Sequence, residues 1–343
     1  MKALVTGGCG FIGSHACEFY HNLGWDVVSY DNMTKYELDK TGYDAKRARD
    51  YNWNFLESIG IELIEKDIRN ATDLRDAAKG CDYIIHTAAQ PAMTLSVQKP
   101  YLDFSTNVLG TYNVLDTARR LDIPVVTCAS IHVYGTGINS SLEEEATRYS
   151  REPAEIGEGA PILTGNITPL HASKVSAECY VRAFIDTYMV RAASFRLTGL
   201  YGPRQFGGED HGWVANFIIR ALTKNRITVF NTGKQIRDIL YATDLCEAFH
   251  AFFEKQAPGI YNIGGGKKTA ISLIETIKFL EEHLGEHIEY RFGGERWGDL
   301  YYWISDTSRA ENLLEWQPKT LPKDGIVSLV QWVKDNLDIF TSK

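Results

Sequence analysis

Short runs of β-branched and apolar residues alternate with longer stretches of helical periodicity over the first 130 residues of the chain. The short runs predict strands over residues 3–5, 26–29, 62–65, 83–86 and 125–129. The longer stretches predict helices, such as those over residues 14–23 and 104–121. Strands that alternate with helices form a mainly parallel sheet covered on both faces. The pattern therefore predicts an α/β protein with a doubly wound parallel sheet.

The pattern changes after about residue 200. Isolated strands are predicted over residues 227–230, 260–263 and 288–291, among helices such as those over 272–284 and 323–336. We interpret this part as a smaller mixed α/β lobe that covers the binding edge of the sheet. The predicted division assigns residues 1–200 to the sheet domain and 201–343 to the lobe, with 236–263 returning to the sheet domain.

Composition and charge narrow the classes of partner. The 343-residue chain carries 44 acidic and 36 basic side chains, a formal net charge of −8, and nucleic-acid-binding domains usually carry a basic surface instead. No apolar run reaches the roughly 18 residues that a membrane span needs, and the first residues lack the pattern of a secretion signal. The six cysteines are scattered without a CxxC pair, which is typical of reduced thiols. We therefore expect a cytoplasmic protein with no nucleic-acid or membrane partner.

A glycine-rich segment follows the first predicted strand. Gly7, Gly10 and Gly13 are spaced by three residues and open an amphipathic helix. Such glycines allow a tight turn and a close approach of the backbone to a pyrophosphate, and the helix N-terminus offers free N–H groups to the phosphates. Asp31 ends the second predicted strand, where an acid binds the adenosine ribose and favours NAD over NADP. We expect a Rossmann-type domain that binds NAD; the alternative for the glycines is a plain turn.

The same glycine spacing is similar to that of the extended short-chain dehydrogenases/reductases. Other segments resemble the branch of that family that contains nucleotide-sugar epimerases and dehydratases, and this resemblance covers nearly the whole chain. These segments are Asp67-Ile68-Arg69, His86-Thr87-Ala88-Ala89-Gln90, Asn107, residues 130–135, residues 196–204, Arg237-Asp238 and Arg296-Trp297-Gly298-Asp299. The resemblance implies that NAD contacts Gly7, Gly10, Phe11, Ile12, Gly13, Asp31, Asn32, Asp67, Ile68, Ala88, Ala89, Gln90, Asn107 and Lys174.

The substrate side is also described by resemblance. Residues 90–94, 201–214 and 233–238 are similar to loop segments of CDP-paratose 2-epimerases. In the family, arginines at the positions of Arg237 and Arg296 bind the diphosphate of a nucleoside-diphosphate sugar. The further substrate contacts implied are Met93, Thr94, Arg204, Gln205, His211 and Trp213.

The chain departs from the family at the catalytic Tyr-x-x-x-Lys motif. The lysine corresponds to Lys174, but Leu170 stands where the family has tyrosine. In the family the tyrosine phenolate removes a hydroxyl proton as hydride passes to NAD, the lysine binds the nicotinamide ribose, and a serine at the position of Ser130 binds the reacting hydroxyl. Leucine cannot exchange a proton.

Two histidines are candidates to replace the phenolate. On a helix, His171 neighbours Lys174 as Leu170 does, although adjacent side chains point about 100° apart. A histidine pKa of about 6.5 suits a general base; the alternative is a half-buried or dimer-facing histidine. His132 follows Ser130 by two residues, and a strand would place both on one face; the alternative is a structural hydrogen bond.

These observations predict an NAD-dependent nucleotide-sugar epimerase that works through a transient keto sugar, with a CDP-hexose oxidised at C2 as the implied substrate. One alternative is a dehydratase or another lyase, although such relatives usually carry an acid where Ile131 follows Ser130. The other is a catalytically weak protein that binds NAD and nucleotide sugars. No metal site is expected, because the histidines lack metal-ligand spacing. Residues 104–121 and 171–188 resemble the helices that form the family's dimer interface, so a homodimer is expected.

Overall fold

The computed structural model describes residues 1–341, apart from the side chains of residues 39 and 40. Its strands are β1 (Lys2–Thr6), β2 (Asp26–Asp31), β3 (Glu62–Glu65), β4 (Tyr83–His86), β5 (Val125–Ser130), β6 (Glu143–Glu144), β7 (Tyr149–Ser150), β8 (Ala192–Leu197), β9 (Gly199–Tyr201), β10 (Ile227–Val229), β11 (Ile236–Tyr241), β12 (Gly259–Ile263), β13 (Ala270–Ser272), β14 (Tyr290–Phe292) and β15 (Tyr302–Trp303). Its α-helices are α1 (Phe11–Asn22), α2 (Ala45–Ser58), α3 (Ala71–Ala78), α4 (Met93–Gln98), α5 (Pro100–Phe104), α6 (Thr111–Leu121), α7 (Pro169–Tyr188), α8 (Trp213–Leu222), α9 (Ala242–Lys255), α10 (Leu273–Leu284), α11 (Ser308–Leu314), α12 (Pro322–Asp335) and α13 (Leu337–Thr341).

Seven strands form one sheet in the order β12-β8-β5-β4-β1-β2-β3. All of its neighbouring strands run parallel. The strand order reverses between β1 and β4, and sheets of this kind bind ligands beyond the carboxyl ends of the strands at such a switch point. This topology confirms the predicted Rossmann-type doubly wound sheet.

Apolar side chains cover both faces of the central sheet. On one face, Tyr20 of α1 and Phe249 of α9 are buried in one cluster with Tyr83 of β4. On the other face, Val114 of α6 and Val181 of α7 are buried with strand residues such as Ile84. Strands that are buried on both faces have near-continuous apolar runs. Because all seven strands are parallel, their carboxyl ends lie at the same edge of the sheet.

The second half of the chain builds a smaller lobe beside that edge. There β11 pairs with β9, β13 and β15, and β10 pairs with β14. Its core includes Ile218 of α8 and Ile326 and Val330 of α12. Strand β12 lies in the central sheet, whereas β11 belongs to the lobe's sheet, so the segment 236–263 contributes to both. The division into domains at residue 200 stays a prediction, and residues 342–343 of the predicted lobe lie outside the described residues.

Two predicted elements differ from the structure. The helix predicted over 104–121 is divided into α5, a π-helix over Ser105–Gly110 and α6. The strand predicted over 288–291 instead spans Tyr290–Phe292 and pairs with β10. Within residues 1–341, no helix is long and apolar enough to cross a membrane.

Candidate active site

The glycine-rich segment forms the turn between β1 and α1. Gly7 has a φ of +72°, and a Cβ there would lie 2.6 Å from the backbone nitrogen of Ala88. A Cβ on Gly13 would collide with the carbonyl of Gly7. Gly10 is the N-cap of α1, and no side chain caps the helix N-terminus. The turn therefore leaves a cradle of backbone N–H groups that fits the pyrophosphate of a dinucleotide.

Asp31 holds this cradle in place from the end of β2. Its Oδ2 accepts a hydrogen bond from the Cys9 N–H at 3.0 Å, and its Oδ1 accepts one from the Met33 N–H at 2.8 Å. Burial raises the pKa of Asp31, and the nearby charge of Lys35 and both hydrogen bonds act against that rise. The carboxylate lines a cavity of about 110 Å³ together with Asn32 and Ile68. An adenosine ribose in this cavity would meet an acceptor.

We name this cavity of about 110 Å³ the adenosine cavity; Asp67 lies next to it without lining it. Its carboxylate accepts hydrogen bonds from Arg69 at 2.6 Å and from Asn32 at 2.9 Å. Burial opposes its ionisation, but these hydrogen bonds prevail and lower the pKa of Asp67 to about 2. Ala88, Ala89 and Gln90 of the predicted cofactor segment line the same cavity.

A second cavity, of about 460 Å³, continues from the first. The two cavities share Gly7, Gly10, Lys35, Glu37, Thr87, Ala89 and Pro91. Beyond this junction the second cavity reaches Ser130 and His132 and then Arg237 and Arg296. The same cavity is also lined by seven other residues predicted to contact cofactor or substrate: Phe11, Ile12, Gly13, Arg204, Gln205, His211 and Trp213. The two cavities together suit a dinucleotide in an extended conformation beside a second phosphate-bearing ligand.

Lys35 lies at the junction of the two cavities and was missed by the sequence analysis. Its ammonium donates to the carbonyl of Cys9 at 2.6 Å and to that of Arg49 at 3.4 Å. Neither bond neutralises its charge. A basic residue shortly after the acid that ends β2 was the available signal, but local sequence does not show that the side chain turns back to the glycine turn.

Ser130 and His132 lie side by side in the wall of the larger cavity. Ser130 is the last residue of β5, and its Oγ accepts a hydrogen bond from the His132 N–H at 3.2 Å. His132 lies in a 3-10 helix over Ile131–Tyr134, so the expectation that strand alternation aligns the two residues was wrong. Burial is the main cause that lowers the pKa of His132 to about 3, followed by electrostatic interaction with His171, Arg237 and Lys174. The imidazole is therefore neutral at physiological pH.

His171 is fully buried and does not line the larger cavity. Its Nδ1 accepts a hydrogen bond from the Thr168 N–H at 3.1 Å and lies 2.8 Å from the Thr168 hydroxyl oxygen. Because Nδ1 is an acceptor, the proton of the neutral ring sits on Nε2. Burial lowers the pKa of His171 to about 4. The structure therefore places this histidine as a neutral ring at the start of α7.

Lys174 follows one turn later on α7. Its ammonium donates to the carbonyl of Cys128 at 3.1 Å, and burial lowers its pKa. Leu170 is only 3% exposed, and its N–H donates to Ser96 Oγ at 3.2 Å. Asn107, in the π-helix, donates to Ser173 Oγ at 3.2 Å. Lys174 and Asn107 line a small internal cavity of about 10 Å³ behind the site rather than the larger one.

The two arginines at the far end of the cavity already have acidic partners. Arg237 pairs with Asp299 at 3.2 Å, and Arg296 pairs with Asp210 at 3.2 Å. The Arg296 guanidinium lies over the Phe230 ring, 3.7 Å from its centroid. Guanidinium groups in such settings bind phosphates through paired hydrogen bonds.

Of the other predicted substrate residues, Arg204 lines the larger cavity but is held by α1, whereas Met93 and Thr94 lie outside that cavity. The Arg204 guanidinium donates to Glu18 at 2.6 Å and to His15 Nδ1 at 3.0 Å, so α1 occupies it. Met93 and Thr94 begin α4 and do not line the larger cavity. Their substrate contacts stay predictions. Among the side chains that the structure describes, no group of three or more His, Cys, Asp or Glu residues could hold a metal ion.

Comparison with known proteins shows the family to which the chain is similar. The model of the NAD dependent epimerase/dehydratase family matches residues 3–264. The chain is 32% identical to CDP-paratose 2-epimerase of Salmonella typhi, over 97% of this chain and 99% of that protein. It is 30% identical to a putative UDP-glucose 4-epimerase of Methanocaldococcus jannaschii, over 97% and 98%. UDP-glucuronic acid 4-epimerase of Bacillus cereus, solved with UDP-glucuronic acid and NAD, is 25% identical with a TM-score of 0.81, over 98% and 100%.

Proposed function

This chain belongs to the NAD-dependent epimerase/dehydratase family, and we propose that it is an epimerase that inverts C2 of a CDP-hexose through a transient keto sugar. One observation carries the proposal. A single cavity extends from the glycine turn past Ser130 and His132 to Arg237 and Arg296. A nucleotide sugar with its diphosphate on the arginines would place its hexose between them and the glycine turn. The identity to a CDP-paratose 2-epimerase supports CDP-hexose and C2.

NAD is the cofactor of this family, and when bound it accepts a hydride from the sugar and returns it. The glycine turn and the adenosine cavity fit the two ends of its ADP portion. A Cβ on Gly7 or Gly13 would collide with the backbone, so these glycines permit the tight turn that leaves the N-terminus of α1 free of a side-chain cap. Asp31 offers an acceptor to the adenosine ribose. Lys174 is the residue that we assign to the nicotinamide ribose.

His132 is the residue that we assign to the proton transfer. It lines the larger cavity beside Ser130, and its ring is neutral, so it can accept a proton from the hydroxyl that Ser130 binds. An imidazole with a pKa of about 3 is a weak base. A diphosphate on Arg237 would offset one of the charges that lower this pKa. His171, with its proton on Nε2 and its ring outside the cavity, would support His132 rather than act on the sugar.

A catalytically weak binder of NAD and nucleotide sugars is the second candidate. Leu170 favours it, because this buried aliphatic side chain stands one turn before Lys174 and cannot carry a proton. A positioned acid/base contributes about 10²–10⁴-fold in rate, so a weak replacement leaves slow turnover. The retained Ser130, Lys174, Arg237 and Arg296 favour the enzyme.

A second copy of the chain is the partner that we infer for α6 and α7. Tyr112, Tyr180 and Tyr188 are 39%, 43% and 53% exposed on these helices, and Met189, which follows α7, is 81% exposed. Contiguous exposed aromatic side chains mark protein interfaces. A two-fold dimer would bury this face against itself.

The test is a CDP-hexose labelled with deuterium at C2, incubated with the NAD-loaded protein. The C2 epimer is expected with the deuterium retained, because the hydride leaves and returns. Loss of the label to solvent contradicts hydride transfer, and loss of water from the sugar indicates a dehydratase. Binding of NAD and CDP-hexose without any product favours the weak binder. Absence of binding to both overturns the proposed function.

A further inference from the structure

A small hairpin lies beside the substrate cavity between β9 and α8. The Gly208 N–H donates to the His211 carbonyl at 2.9 Å, and the His211 N–H donates to the Gly208 carbonyl at 3.4 Å. Glu209 and Asp210 are therefore the two residues of a tight turn, and both line the cavity. Residues 208–211 are called the tip hairpin below.

Asp210 joins the two halves of the molecule through this turn. Its Oδ2 accepts a hydrogen bond from the Thr94 hydroxyl at 2.6 Å, on the α4 side of the cleft. Its Oδ1 accepts one from Arg296 Nη2 at 3.2 Å, on the loop between β14 and β15. The same Nη2 also donates to the carbonyl of Glu209. The tip hairpin therefore bridges Thr94 and Arg296.

The Arg296 guanidinium needs an anionic partner. Its side chain is 30% exposed, and one face lies on the Phe230 ring. A half-desolvated cation of this kind gains from a carboxylate or a phosphate at its free edge. The Glu209 carbonyl and the Asp210 carboxylate take both N–H groups of Nη2, so a phosphate that binds through this nitrogen has to displace one of them. A carboxylate that is tethered next to it therefore competes with any phosphate that arrives.

We propose that Asp210 is a built-in competitor for the substrate diphosphate at Arg296, and that the tip hairpin is released from Thr94 when the diphosphate displaces it. The proposal rests on the proposed function, which assigns Arg296 to the diphosphate. Asp210 thereby limits affinity for nucleotide sugars and keeps the cleft bridged until one binds.

Asp299, the partner of Arg237, is not equivalent to Asp210. Its Oδ2 accepts hydrogen bonds from Asn231 at 3.0 Å and from Gln235 at 3.4 Å, so two amides as well as Arg237 hold it. Asp210 has one hydroxyl besides Arg296 and sits at the end of a two-residue turn. Of the two carboxylates, Asp210 is the one that a ligand can displace.

The first measurement needs no ligand. Hydrogen exchange is followed by mass spectrometry in the peptide that contains residues 206–213, in wild type and in Asp210→Ala. Loss of the bridge is expected to speed exchange of the Gly208 and His211 amides about ten-fold, because local opening becomes easier. Unchanged exchange overturns the bridge, whatever the protein does with nucleotide sugars.

The second measurement is the affinity of the NAD-loaded protein for CDP by calorimetry. Asp210→Asn removes the charge but keeps the size of the side chain, and it is expected to bind CDP about five-fold more tightly. Glu209→Gln is the matched control, since it removes a second carboxylate from the same turn, and that carboxylate pairs with Arg220 instead of Arg296. The affinity of this variant for CDP should change less than about two-fold.

The outcomes separate the two proposals. Weaker or unchanged CDP binding by Asp210→Asn, with CDP bound by wild type, overturns the competitor role and leaves the proposed function intact. An equal gain in CDP affinity in Glu209→Gln also overturns the competitor role of Asp210. The gain would then come from the loss of any negative charge near the cavity. If neither CDP nor UDP binds any variant, the proposed function fails and the competitor role fails with it, while faster exchange would still establish the bridge.

Discussion

His171 lies edge-on to His132, with the centroids of the two rings 5.3 Å apart and their planes at 76°. Each ring has one buried nitrogen for which residues 1–341 offer no hydrogen-bond partner, Nδ1 in His132 and Nε2 in His171. Only His132 lines the cavity where the sugar would bind. We therefore assign contact with the substrate to His132 and a supporting role to His171.

Replacement of the two histidines should separate these roles. His132→Asn is expected to lower kcat about 10²-fold or more, because it removes the group that exchanges the proton. His171→Asn is expected to lower kcat by about ten-fold or less, since its ring touches His132 rather than the sugar. Steady-state kinetics on the CDP-hexose measure both, and CDP affinity serves as the control for folding. A larger loss in His171→Asn than in His132→Asn would contradict this assignment.

The pH dependence of kcat/KM should be flat between about pH 5 and pH 8. His132 accepts a proton only when it is neutral, and burial with nearby positive charges lowers its pKa to about 3. Activity that depends on its neutral form is therefore complete above about pH 5 and falls only as the pH approaches that pKa. A fall with a midpoint at about 6.5, the unperturbed value of histidine, would contradict the lowered pKa of His132.

Leu170→Tyr should increase turnover. The substitution restores a phenol one helical turn before Lys174, where the family motif has it, and a lysine nearby lowers a phenol pKa. We expect kcat to rise about 10-fold to 100-fold, within the range of a positioned acid/base. Leu170→Phe is the matched control, because it adds the same ring without the hydroxyl and should show no gain. Equal rates in the two variants would mean that the phenol does not reach the sugar.

Local sequence predicted the parts of this molecule that depend on local chemistry. The glycine spacing identified the turn because Gly7 and Gly13 have no room for a Cβ, whatever the rest of the fold does. The strand order could not be predicted in the same way, since it depends on contacts between distant segments. The π-helix over Ser105–Gly110 also escaped prediction, although its Asn107 was expected at the cofactor.

In the candidate site, too, local sequence predicted which residues are neighbours along the chain but not the contacts between distant segments. Helical spacing placed both Leu170 and His171 next to Lys174, but it could not show that tertiary packing buries both of them. The acidic partners of Arg237 and Arg296 include Asp210, which is far from Arg296 in sequence. Lys35 reaches the glycine turn from beyond β2, and only the folded chain shows that contact.

The aromatic face of α6 and α7 should hold a dimer together. Tyr112 and Tyr180 pack edge to face with centroids 5.6 Å apart, and both are exposed in the single chain. Tyr180→Asp is expected to convert a dimer to a monomer in light scattering, because a two-fold interface would bury two new charges. Tyr290→Asp, at an exposed aromatic on β14, should leave the dimer intact. A monomeric wild-type protein would exclude the interface.

Lys35 should contribute to NAD affinity through the pyrophosphate. Its ammonium lies at the junction of the two cavities, where it donates to the Cys9 carbonyl and has the Asp31 carboxylate nearby. A phosphate there would gain a charge-assisted bond, so Lys35→Met is expected to weaken NAD binding about ten-fold, which is about 1.4 kcal/mol. Lys66→Met is the matched control, because Lys66 lines only the adenosine cavity and pairs with Asp73 at 2.8 Å. Calorimetry with NAD and with adenosine, which lacks phosphate, distinguishes the two sites: Lys35→Met should weaken NAD and leave adenosine unchanged. Equal losses for both ligands would mean that Lys35 shapes the turn instead of binding the pyrophosphate.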